Sequence, residues 1–219
     1  MKKIIVLLIT LVSFSMAIQA QYFSYGAKLG LSFPGYQDER IASQRITPAF
    51  AISGAFNLSR NFLFQTELGY ERKGNKLPNE YSEDVDKWVQ GDTTLFVKSN
   101  LDYLTVPLFA KVKIGKSNNF YLQAGGYFGY LIKAKMSGIK YGESVSKENI
   151  LPGLSKSDYG IVLGAGLETP IRRELSLLLD IKYNYGLKDI YEDPQIIGPS
   201  RPLRNKSFIM SMGIVILID

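Results

Sequence analysis

From Gln21 to the final residues the chain alternates apolar with polar or small side chains at a period of two, in eight separate segments. A helix cannot carry that pattern on one face, whereas a strand sends successive side chains to opposite faces of a sheet. The first segment covers about Tyr22 to Phe33, where Phe23, Tyr25, Ala27, Leu29 and Leu31 alternate with Ser24, Gly26, Lys28, Gly30 and Ser32. The second runs from Thr47 to Leu58, and the third sets Phe62, Phe64, Leu68 and Tyr70 against Gln65, Glu67, Gly69 and Glu71. The fourth, Leu101 to Ile114, opposes Leu104, Val106, Leu108 and Val112 to Tyr103, Thr105, Pro107, Lys111 and Lys113. The fifth, Phe120 to Lys133, sets Leu122, Phe128, Tyr130 and Ile132 against Gln123, Gly125, Gly129 and Lys133. The last three cover Asp158 to Glu168, Leu175 to Leu187 and Ser207 to Ile218, each with one apolar face.

Strands of this number and length close most simply into an antiparallel up-and-down barrel, and the remaining question is which face points outward. A soluble, lipocalin-like barrel would hold its Phe and Leu side chains inside and carry many charges outside. Here the other face consists largely of Gly, Ala and Ser with a few charges, which suits the crowded lumen of an eight-stranded transmembrane barrel. The connections agree. Long links (Pro34 to Ile46, Asn75 to Asn100, Met136 to Ser157, Ile190 to Lys206) alternate with short ones, as external loops alternate with periplasmic turns. An all-β, eight-stranded antiparallel transmembrane barrel is therefore expected, with both termini on the periplasmic side.

The N-terminus fits export to the outer membrane. Lys2 and Lys3 precede an apolar run from Ile4 to Met16, and Ala17-Ile18-Gln19-Ala20 offers a small residue before a cut at Gln21. Residues 1–20 are read as a cleaved signal peptide and 21–219 as one barrel domain. Ser13, Ser15 and Gln19 interrupt the apolar run, which is too short for a membrane anchor.

Cysteine and histidine are both absent. That removes disulfide frameworks, thiolate nucleophiles, a lipidated cysteine and every Ser-His or Asp-His hydrolytic arrangement. No convergent catalytic set is visible, so the chain is expected to be no enzyme and to need no cofactor or metal. Gly125-Gly126-Tyr127-Phe128-Gly129 is not a nucleotide loop, because no helix follows it. Lys and Arg total 26 against 20 Asp and Glu, but without the one-sided clustering of a nucleic-acid binder. Lipid, lipopolysaccharide and an envelope protein are the partners that remain.

Lys28, Glu67, Lys111, Glu168, Asp180 and Lys182 all fall on the inward face by strand parity. Buried charges persist only when paired, so an interlocking ion network that plugs the lumen is expected. Glu67, Lys111 and Asp180 lie at similar distances from their turns and suggest one acid–base layer; the competing reading is a small solute channel. Pro107 cannot donate to a ladder, and a closed barrel has no edge to hold it, so a bulge is expected there. The Asn75 to Asn100 loop carries Glu80, Glu83, Asp84, Asp86 and the single tryptophan, Trp88, at spacings that match no calcium loop. Asp92-Thr93-Thr94 in the same loop is similar to a short O-glycosylation acceptor.

Tyr103-Leu104-Thr105-Val106-Pro107-Leu108 followed by Lys111, and Asp158-x-Gly160 running into Gly164-Ala165-Gly166-Leu167-Glu168, resemble the PorT-type outer-membrane β-barrel family of Bacteroidetes. The resemblance covers nearly the whole mature chain. It implies an eight-stranded outer-membrane barrel, in a family whose namesake supports a protein-secretion system and most of whose members have no assigned activity. A role in envelope assembly or secretion, exercised through the external loops, follows by fold analogy.

Overall fold

A computed structural model describes residues 22–37, 45–59, 61–76, 95–115, 119–140, 143–148, 153–190 and 202–218. The strands are β1 (Tyr22–Tyr36), β2 (Thr47–Asn57), β3 (Phe62–Lys73), β4 (Leu95–Ile114), β5 (Phe120–Lys140), β6 (Glu143–Glu148), β7 (Ser157–Pro170), β8 (Leu175–Asp189) and β9 (Arg204–Ile218). Every pairing is antiparallel. The ring runs β1-β2-β3-β4-β5-β7-β8-β9 and returns to β1, so eight strands each have a neighbour on both sides. This closure satisfies the ladder groups that a lipid environment could not. Residues 1–20, read above as a signal peptide, and the Glu80 to Trp88 and Asp92-Thr93-Thr94 segments lie outside the described residues.

The parity expected from sequence governs the wall. Leu29, Phe50, Ile52, Leu108, Leu163 and Met212 are each more than half exposed, in a belt that all eight barrel strands share. An apolar surface of that extent is stable only against lipid. It is the reverse of a soluble ligand-binding barrel, whose apolar face would be inside.

Three differences from the expected elements matter for function. First, β4 begins at Leu95 and β5 continues to Lys140, so their hairpin rises past the ring, and β6 pairs with β5 alone. Second, Pro107 sits at no bulge. The β4–β5 ladder passes straight through Pro107 opposite Tyr127. On the other side the β3–β4 ladder lapses between Thr66–Leu108 and Gly69–Thr105, then resumes in unchanged register. The missing donor is accommodated by that lapse, and the Thr66 hydroxyl donates to the Pro107 carbonyl at 3.0 Å. Third, a register shift occurs where Asp102–Lys133 gives way to Tyr103–Leu131, leaving Ile132 as the extra residue. A bulge reverses side-chain parity, so Lys133, expected inside, is exposed on the outer wall while Leu131 and Ala134 are buried.

The short turns join β2 to β3, β4 to β5 and β7 to β8. In the first, the Ser59 hydroxyl accepts the Phe62 amide at 3.0 Å. Gly115 opens the second at φ 99°, a left-handed conformation that glycine adopts without strain.

Candidate functional site in the barrel lumen

Small residues on the inner face leave room for long ones from opposite strands, and the long ones are charged. Near mid-height Lys28 on β1 bridges Glu67 on β3 and Asp180 on β8, its ammonium 2.7 Å from the Asp180 carboxylate. Lys182 on β8 reaches the second oxygen of Glu67 at 2.6 Å. Gln65 donates to Glu67 at 2.9 Å, and Asp180 also accepts from Tyr121 at 3.0 Å and Gln123 at 2.7 Å. Each of these side chains is buried. The two carboxylates are therefore compensated both by ammonium groups and by neutral donors, the condition under which buried ions persist.

Lys111 and Glu168 lie nearer the short-turn end. Lys113 reaches Glu168 at 2.7 Å, Lys111 approaches the same carboxylate only to 3.7 Å, and the Lys111 ammonium donates to Gln65 at 3.2 Å. It also stands over the Tyr121 ring, 3.7 Å from the centroid. Thus Glu67, Lys111 and Asp180 do not form the single layer suggested by their distances from the turns. Lys28 is the shared cation, and Lys111 joins through an amide. Strand tilt is the reason: equal counts from a turn on differently placed strands do not mean equal height in the barrel.

A second node lies toward the long-loop end. Lys73 contacts Asp158 at 2.8 Å and Glu71 at 3.9 Å. Asp158 also accepts from Asn205 at 3.0 Å and Tyr127 at 3.3 Å, while Glu71 accepts from Ser32 at 2.8 Å and Asn184 at 3.3 Å. Sequence reasoning left Lys73 out because it ended the third segment at Glu71. The signal was present, since positions 67, 69, 71 and 73 share one parity. Between the nodes is a cavity of ≈ 40 Å³ touching Lys28, Glu67, Glu71, Lys182 and Asn184, room for a few waters.

Above the second node the lumen turns apolar. Tyr36, Leu101, Tyr103, Leu131, Ala134, Leu154 and Ile190 pack together, each almost wholly buried. Leu154 and Ile190 come from the links before β7 and after β8, tied by the Ser155 amide to the Ile190 carbonyl at 2.8 Å. Below the first node a polar cup of ≈ 190 Å³ opens at the short-turn end, bordered by Lys111, Lys113, Glu168 and Arg173.

The residues singled out by family resemblance divide by parity. Tyr103, Pro107, Lys111 and Asp158 are buried inward, whereas Leu104 and Leu108 face outward. Gly160 lies under the Tyr127 ring, where a Cβ would collide with it. Among the described residues no three His, Cys, Asp or Glu side chains converge as metal ligands do.

A closed eight-strand ring, an apolar outer belt and an ion-paired interior define a transmembrane β-barrel. Residues 17–192 match the family described as outer membrane protein beta-barrel domain, and the chain belongs to that family. No curated protein sequence matches it. Among solved structures it is similar to neisserial surface protein A (12% identity, 89% of this chain and 96% of that one, TM-score 0.49). It is similar also to OprG of Pseudomonas aeruginosa (10%, 90% and 95%, 0.47) and to a major outer membrane protein of Thermus thermophilus (16%, 91% and 100%, 0.47).

Proposed function

We propose that this outer-membrane barrel is a non-conducting, non-enzymatic platform of the PorT type, which presents its long connections to an envelope or secreted protein partner. The observation that supports this reading is the filled lumen: among the described residues two ion-paired nodes, topped by an apolar cluster, occupy the interior. Chemistry and selectivity then belong to the loop end, where the β4–β5 hairpin and β6 extend beyond the ring. In this reading the long connections face the exterior and both termini face the periplasm.

Deleting the gene and profiling the envelope and secreted fractions tests the role. Loss of a defined set of exported or surface proteins, restored by the wild-type gene, is expected. An unchanged profile combined with altered uptake of a small solute would favour a channel instead.

A further inference from the structure

The charges of the lumen do not balance from one end to the other. In the half nearer the short turns, the ammonium groups of Lys28, Lys111, Lys113 and Lys182 face the carboxylates of Glu67, Asp180 and Glu168 alone. The complementary excess lies in the upper node, where Glu71 and Asp158 share Lys73. Lys111 is the surplus cation of the lower half. Its side chain is almost wholly buried, yet it donates only to the neutral Gln65 amide, at 3.2 Å. It stops 3.7 Å from one oxygen of Glu168, whose other oxygen Lys113 holds at 2.7 Å. An ammonium carries three N–H donors, and the Tyr121 ring beside Lys111 is a weaker partner for them than an anion.

Lys111 lines the polar cup of ≈ 190 Å³ at the short-turn end. Arg173 stands exposed at the rim of the same cup, and among the described residues it has no ion pair and no side-chain hydrogen bond. The acids of the cup do not serve these two cations, because Glu168 belongs to Lys113 and Glu174 is exposed at the rim without an ion pair among the described residues. Asn119 lines the cup as well. Its carbonyl accepts the Glu168 amide at 2.6 Å, while its side-chain Oδ1 is buried without a donor.

A buried ammonium short of acceptors, an unpaired guanidinium and a buried oxygen short of a donor match a ligand that both accepts and donates. Acetate and sulfate only accept at neutral pH, whereas hydrogen phosphate accepts through its charged oxygens and donates through its hydroxyl. We infer that the cup binds inorganic hydrogen phosphate, Lys111 and Arg173 donating to its oxygens and Asn119 accepting from its hydroxyl. The cup has room for this ion and several waters. The inference depends neither on the partner-binding role proposed above nor on which end of the barrel is external.

The full-length barrel, refolded in detergent, is titrated calorimetrically at pH 7 and fixed ionic strength with sodium phosphate, and separately with sulfate and acetate. Phosphate should saturate one site and bind about three- to tenfold more tightly than sulfate, the worth of one hydrogen bond to Asn119. A charged donor is worth more, so Lys111→Gln should weaken phosphate binding roughly tenfold or more. Arg173→Gln should weaken it severalfold, and Arg172→Gln, exposed beside it but outside the cup, should leave it unchanged. Heat-modifiable migration establishes that each variant is folded; if Lys111→Gln is not, the rim variant Arg173→Gln carries the test. Absence of saturable phosphate binding, sulfate bound as tightly as phosphate, or an affinity unchanged by the folded Lys111 and Arg173 variants would overturn the proposal. So would an Arg172→Gln loss as large as that of Arg173→Gln.

Discussion

At the scale of single residues, the lumen ranks its charges by how many partners each one serves. Lys28 neutralises both Glu67 and Asp180, and no other ammonium reaches Asp180 within 4.0 Å among the described ion pairs. Lys28→Met should cost about 3–5 kcal/mol, the usual effect of stranding a buried carboxylate. Lys111→Met should cost less, about 1–2 kcal/mol, because Glu168 keeps Lys113 and mainly the Gln65 hydrogen bond is lost. Urea unfolding of the refolded barrel measures both, and the order of the two variants is the discriminating result. A larger loss for Lys111→Met would place the centre of the network elsewhere. Lys73 illustrates how such a residue escapes sequence reading: it is as buried as any core side chain, yet it is the last residue of its strand, two beyond the Glu71 at which the sequence segment ended.

At the scale of elements, glycines on β7 make flat seats for tyrosines that reach across from β5. A Cβ at Gly166 would meet the Tyr121 ring and hydroxyl, and one at Gly160 would meet Tyr127. Gly166→Val should displace Tyr121, break its 3.0 Å hydrogen bond to Asp180 and cost about 1–3 kcal/mol, read from the same unfolding curves. The β4–β5 hairpin shows the converse. Above Tyr130, β5 leaves the β7 ladder, and β6 pairs only with β5. Removing Glu143–Glu148 should leave the heat-modifiable, folded band on a gel unchanged; its disappearance would mean that β6 helps to close the barrel.

For the whole molecule, the stacking of an ion-paired layer, a second ionic node and an apolar cluster predicts an insulating barrel. Eight strands enclose a space only wide enough for side chains, and here they occupy it. In planar bilayers the wild type should give no stable conductance step. A reproducible step whose ion selectivity changes with Lys111 or Asp180 would replace the plug by a channel. Orientation is tested separately: cysteines placed at Trp88 and Ser144 should react with an impermeant reagent on intact cells, and one at Ser117 should not. Labelling at Ser117 alone would invert the topology.

What the linear pattern determined by itself was the barrel, its strand number and the polarity of its wall. Strand parity depends only on neighbouring residues, and an alternation kept through eight segments, with Gly, Ala and Ser dominating the opposite face, points to the barrel whose apolar face meets lipid. The inward set of Lys28, Glu67, Lys111, Glu168, Asp180 and Lys182 followed from the same parity, with Glu168 half-buried and the other five buried. Partnership was decided by the tertiary structure alone. Which ammonium meets which carboxylate depends on the relative height of residues on tilted strands, and local sequence does not encode that height. So Lys28 proved to be the bridge and Lys111 the periphery. The same holds for Pro107 and Lys133. Whether a proline is absorbed by a bulge or by a lapse in one ladder, and where a bulge reverses a strand's faces, depends on the register between two strands, a property of the pair and of neither sequence alone.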